Sequence, residues 1–221
     1  MSMSSLAANP SIASVPNQFR RDTLHRFARS QKLAEFLARH GVSSADLPIA
    51  LDFFRRNRLH STPGELIDGP FSRRRTSRSI TGRFSADDLP VFYAALEEQT
   101  AQSEVQHRIS HPDTATPGRY HNEYFTCVFA GQVRDLRPHA GTWPCLIGPT
   151  DADYPACVQL ARDATASGTD AFYTRSVRNA GGTCAPVFAP ATLDRATMVV
   201  HKVVVFEYDA AGTLVKTYQA P

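Results

Sequence analysis

At 221 residues and 42% hydrophobic content the chain can bury one full core and still carry an N-terminal extension, and no apolar run approaches the length of a membrane span. The formal net charge of +3 hides a division: residues 1–85 hold 14 Lys and Arg against 6 Asp and Glu, and residues 86–221 hold 10 against 15. The basic part is therefore the one that faces an acidic partner or ligand, while a chain so nearly neutral as a whole argues against nucleic-acid binding.

The opening Met1 to Leu6 has neither a charged n-region nor an apolar h-region, so no secretory signal is read and the cytoplasm is the expected site of action, with delivery into another cell left open. Residues 1–18, rich in Ser, Ala, Asn and Pro without periodicity, read as a disordered N-terminus. Residues 19–59 read as a helical extension. In its first helix Leu24, Phe27, Ala28, Phe36 and Leu37 share a face, Arg21, Arg29, Lys32 and Arg39 occupy another, and Gly41 stops it. The second runs from Ser43 or Ser44 to about Arg58, and its Leu47, Leu51, Phe53 and Phe54 call for packing on the main domain. The extension is expected to dock or deliver, and not to build the site.

Residues 60–70 are punctuated by Pro and Gly and read as the junction to a main domain spanning 60–221. There follows a basic cluster, Arg73, Arg74, Arg75 and Arg78, dense enough for phosphate yet equally an exposed loop. Beyond it lie Gly82-Arg83-Phe84-Ser85 as a turn, Val91-Phe92-Tyr93-Ala94-Ala95 as a short strand, and a helix from Thr100 as N-cap with Glu104 at the border of its apolar side. A fixed cation, an aromatic face and a carboxylate thus lie close together, and pairing with Arg83 would keep Glu104 ionised. On spacing alone the alternatives stay open: Arg83 a surface cation, Tyr93 a core aromatic, Glu104 a solvated helix carboxylate.

His111 to Asn122 reads as a loop, and Tyr124 to Ala130 as a strand buried on both faces. Tyr154, Cys157, Val158, Leu160, Ala161 and Ala164 recur at helical spacing, closed by Gly168, and a strand at Asp170–Thr174 makes a β-α-β pattern. Ser176 opens a loop containing Gly181 and Gly182, the strand Cys184–Phe188 follows, and Val199–Tyr208 turns through Asp209-Ala210-Ala211-Gly212 into a closing hairpin. The class is α+β, dominated by short strands. Cys127, Cys145, Cys157 and Cys184 form no C-x-x-C pair and read as reduced thiols; no Cys/His ligand set is read among the eight histidines, and no metal is expected. Ser176 sits in no G-x-S-x-G elbow.

Four pieces taken in order, Gly82 to Ser85, Val91 to Ala95, Thr100 to Glu104, and Gly168 to Tyr173 leading into Ser176-Val177-Arg178 and Gly181 to Phe188, resemble the RES-domain family, named for its Arg, Glu and Ser. The resemblance implies an ADP-ribosyltransferase-like mixed β core with flanking helices, and an activity that consumes NAD without a metal, as in the family's toxins of toxin–antitoxin pairs. It implies that Glu104 acts at the nicotinamide ribose, that Arg83 holds phosphate or ribose, that Tyr93 packs on the nicotinamide, and that Ser176 bonds the same end. The family's upstream arginine would be among Arg73, Arg74 and Arg75, with Arg74 preferred and Arg75 next to it. A cognate antitoxin or immunity protein is the implied partner. The outcome is hydrolysis or phosphorolysis of NAD, with ADP-ribosylation of a protein as the alternative and a non-catalytic interaction module as the contrasting class.

Overall fold

A computed structural model describes residues 11–72, 82–110, 117–148 and 150–219. Its frame is seven strands: β1 Asn17–Arg29, β2 Phe92–Ala95, β3 Gly118–Asp135, β4 Ala171–Arg175, β5 Thr183–Val187, β6 Leu193–Tyr208 and β7 Leu214–Gln219. They run in the order β1-β2-β5-β4-β3-β6-β7, and β1 also pairs with β3. The first five strands therefore close on themselves, β1 to β2 to β5 to β4 to β3 and back to β1. Among the described strands all pairings are antiparallel except β3 with β4, and between those two the chain crosses over through a helix, as a parallel pair requires.

Alternation along each strand decides what lies inside. Leu24 of β1, Phe92 and Ala94 of β2, Phe125, Cys127, Phe129 and Val133 of β3, Ala171 and Tyr173 of β4, and Ala185 and Val187 of β5 form one buried cluster. Residues of the opposite set face outward and meet helices. On β6 the same rule sends Val203 and Val205 to one side, under α1 (Gln31–Arg39) and α2 (Leu47–Arg56), and Val204 and Phe206 to the other, under α4 (Glu98–Ser110). Helix α5 (Tyr154–Ala166) covers Phe172, Phe188 and Phe84 with Cys157, Leu160, Ala161 and Ala164, and ends as expected with Gly168 at φ +78°.

The mixed α+β class is as expected, but several local readings are overturned. Residues 17–29 are a strand, not the first half of a helix. The spacing of Leu24, Phe27 and Ala28 suits either structure, and pairing along thirteen residues of β3 settles it. The helix begins only at Gln31, because the Ser30 hydroxyl accepts the N–H of Leu33 at 3.1 Å as an N-cap. Nor is the segment before β1 loose where it is described: Ile12 and Val15 are buried against α5, and their carbonyls accept from the Arg134 guanidinium. The Pro/Gly stretch from His60 to Pro70, expected as a junction, is ordered structure. It holds a wide helical turn, Gly64–Asp68, which leads into the short α3 (Gly69–Ser72), and it buries Leu66 and Ile67 in the central cluster. Gly118 to Asn122, expected in a loop, is the start of β3, and β1, β3 and β6 are long strands where short ones were expected.

The buried Glu123 carboxylate joins these N-terminal pieces. It accepts from the Ser30 hydroxyl, from the Ser61 N–H at 3.0 Å and from the Ser61 hydroxyl at 2.9 Å, which satisfies a charge that burial would otherwise penalise.

Candidate active site

Pairing across β2 and β5 sets Tyr93 opposite Pro186 and Ala95 opposite Cys184, so Tyr93 and Cys184 share the outward face of the closed sheet, on the side that α4 and α5 cover. Helix α4 starts at Glu98 and not at Thr100, which is a buried residue inside its first turn. The reason is a local competition: the Thr100 hydroxyl donates to the Glu97 carboxylate at 2.7 Å, and Glu97 also accepts the Thr183 N–H at 2.9 Å, which ties the helix start to β5.

From this anchored helix Glu104 reaches the loop after β4. Its Oε1 accepts from the Ser176 hydroxyl at 2.7 Å and from the Cys184 thiol at 3.3 Å. Ser176 is itself held on the other side, since its Oγ accepts the N–H groups of Arg178 at 3.1 Å and Asn179 at 3.0 Å, and its own N–H donates to the Gly182 carbonyl at 2.9 Å. Asn179 then donates through Nδ2 to Thr100 at 2.9 Å, so the loop is stitched back to α4. Gly182 lets it come this close: a Cβ there would collide with the Thr100 hydroxyl and lie 2.8 Å from Asn179 Nδ2. The Cys184 thiol is pushed well above its ordinary pKa by burial first and then by the Glu104 charge, so it is a protonated donor and no nucleophile.

Arg83 stands nearby, but the expected pairing with Glu104 is not made: among the described residues no ion pair joins them. Its Nη1 donates to the Leu146 carbonyl and its Nη2 to the Gly148 carbonyl, each at 2.7 Å. The positive charge still reaches this centre, because it is among the influences acting on Cys184 as well as on Cys145 and Cys157. Tyr93 accepts the Phe84 N–H through its hydroxyl at 2.9 Å and packs its ring against the α5 cluster, which couples the turn carrying Arg83 to β2.

The structure thus brings Glu104, Ser176, Arg83 and Tyr93 to one face. Arg74 and Arg75 lie outside the described residues, as does Arg73. Sequence reading missed Cys184, Thr100, Asn179, Glu97 and Arg178. Thr100, Cys184 and Arg178 stood within the segments that resemble the family, but only the strand register and the fold of the 176–182 loop reveal their neighbours.

A family model described as "RES domain" matches residues 54–209, from within α2 to just past the end of β6. Comparison with curated proteins finds no match. Among solved structures the chain is similar to one titled "Crystal structure of the M.tuberculosis MbcT-MbcA toxin-antitoxin complex", at 13% identity over 89% of this chain and 90% of that chain, with a TM-score of 0.49.

Proposed function

The chain belongs to the RES-domain family, and from that premise we propose that it consumes NAD by breaking the bond between nicotinamide and ribose, as a toxin restrained by a cognate antitoxin or immunity protein. The observation that carries the reading is the state of Glu104. Oε1 is pinned by Ser176 and Cys184, while Oε2 has no hydrogen bond to any described residue. A carboxylate aimed by one oxygen and open at the other suits a reaction in which positive charge grows on a ribose ring.

As the glycosidic bond breaks, its electron pair leaves with the pyridinium nitrogen, so nicotinamide departs neutral and needs no proton. The ribosyl group is left cationic. Glu104 supplies the compensating charge and an acceptor for a ribose hydroxyl, and phosphate, or water that gives up one proton to solvent, then attacks the exposed carbon. In this scheme Ser176 is a positioning residue, because its proton is committed to Glu104. Tyr93 offers a ring for stacking. Arg83 adds a fixed positive charge whose position is set by two carbonyls. The work is done in the cytoplasm, where NAD is available.

The test is purified protein, NAD and a measurement of nicotinamide release. Glu104→Gln keeps the shape and removes the charge, and should lower turnover by about 10²–10³ with an unchanged melting temperature. An unchanged rate overturns the assignment. Labelled NAD in the same assay separates a small-molecule acceptor from transfer of ADP-ribose onto a protein, and expression without the partner should deplete cellular NAD and stop growth.

A further inference from the structure

A dinucleotide carries a pyrophosphate, and the obvious cation of the site is already occupied. Arg83 spends both terminal nitrogens on the Leu146 and Gly148 carbonyls, and to grip phosphate in a two-pronged fashion it would have to break both. Two other arginines, one in the turn that follows β3 and one on β1, are committed as well. Arg137 is bonded to Asp135 and to Thr183, and Arg26 donates to the Tyr93 carbonyl at 2.5 Å while lying over the Phe92 ring.

Arg178 differs. Its main-chain N–H bonds the Ser176 hydroxyl that holds Glu104, so it sits one hydroxyl away from the proposed catalytic carboxylate. Its guanidinium makes no hydrogen bond or ion pair with any described residue, and its Nε is sealed from solvent without an acceptor. An N–H in that position has lost water and gained nothing, an unfavourable arrangement that is relieved when the side chain swings out onto an anion. The guanidinium fork matches the oxygens of a phosphate, and the main chain that carries it is held by its own N–H donating to the Ser176 hydroxyl, in a loop shaped by the Asn179 bonds to Ser176 and Thr100.

We propose that Arg178 is, among the described residues, a phosphate-binding group of the site, receiving the pyrophosphate of the dinucleotide, while Arg83 organises the neighbouring loop. The substrate named here rests on the NAD reading; the anion-binding role does not. The loop geometry also gives the two roles a link, since the residue that grips phosphate and the serine that aims Glu104 are two positions apart on one tight turn.

Calorimetric titration with inorganic pyrophosphate and with ADP-ribose tests the role without any turnover. Wild-type protein should bind both. Arg178→Gln should weaken each by roughly 10–100-fold, the usual loss for a hydrogen-bonded charge pair, and Arg178→Lys should fall between, because an ammonium keeps the charge and loses the fork. In the NAD assay the Gln variant should raise KM more than it lowers kcat, a split that a merely structural role would not produce. If the Gln variant melts early, the Lys variant carries the test. Absence of wild-type binding to either probe, or equal binding by the variants, overturns the proposal even if NAD is consumed. Pyrophosphate binding that depends on Arg178 in a protein that never releases nicotinamide upholds it and overturns the NAD reading instead.

Discussion

Two main-chain carbonyls, Leu146 and Gly148, hold Arg83, which makes that residue sensitive to shape as well as to charge. Arg83→Lys keeps the cation but can reach only one carbonyl, and a lost charge-assisted hydrogen bond costs about 1.5–3 kcal/mol. Thermal melting should fall by several degrees, and nicotinamide release should fall with it; a variant that melts and turns over like wild type would show that the two bonds carry no weight. Around Glu104 the donors should rank by strength. Ser176→Ala removes a hydroxyl 2.7 Å from the carboxylate and also the acceptor for two N–H groups, whereas Cys184→Ala removes only a weak thiol donor at 3.3 Å. Turnover should drop much further for the serine variant, and the reverse order would contradict the positioning role. Glu104 and Ser176 were both named on the sequence, but their direct contact was not, because 72 residues separate them and nothing local reports it.

Helix α2 was legible from its spacing, and it packs on β6 and β7 through Leu47, Leu51 and Phe54. Phe53, named with them, is 52% exposed and stacks instead on Phe36 at 5.9 Å. Phe54→Ala should therefore cost about 3–5 kcal/mol in denaturant unfolding. Phe53→Ala should cost well under half of that, and equal effects would contradict this packing. Strand β1 was not legible, and its recovery changes a further expectation. The extension was expected not to build the site, but a fragment starting near His60 would lose β1, which closes the sheet against both β2 and β3. That fragment should show no cooperative melting transition and no activity, and a stable, active fragment would refute the closure. β1 lies outside the residues matched to the family, 54–209, yet supplies Leu24 to the central cluster.

Across the molecule, burial leaves three histidines on different segments with depressed pKa values: His25 on β1, His60 before the wide turn and His121 on β3. Desolvation is the first cause in each; Glu98 partly offsets it at His25, as Glu123 does at His60, and the Arg29 and Arg119 charges add to it at His121. A folded pKa below the unfolded 6.5 means that the unfolded chain binds protons first, so stability is complete above pH 6.5 and declines as pH falls below it. Carboxylates extend the decline. Glu65, bonded to Lys32 and Thr62, is drawn from 4.5 down to about 2, and its contribution is lost over that interval. Melting temperature measured from pH 7.5 to 4 should thus begin to fall near pH 6.5, and His121→Gln should flatten the first part of the descent; a flat profile down to pH 5 would contradict the buried histidines.

What the sequence by itself determined is whatever depends on near neighbours and on residue chemistry: the period of α5 and its Gly168 stop, the apolar face of α2 and the hairpin at Asp209 to Gly212. Arg83, Tyr93, Glu104 and Ser176 were named through the family resemblance, spacing alone leaving their roles open. What only the tertiary structure decided is whatever needs a distant partner. Leu24, Phe27 and Ala28 fit a helix or a strand equally, and β3, a hundred residues away, supplies the hydrogen bonds that make them a strand. Arg83 bonds carbonyls some sixty residues on, and Arg178 keeps a sealed nitrogen that no described residue accepts from. The physical reason is common to all three: side-chain spacing reports which face is apolar, but the partner that satisfies a backbone or a buried charge is set by chain closure, and closure is written in no single stretch.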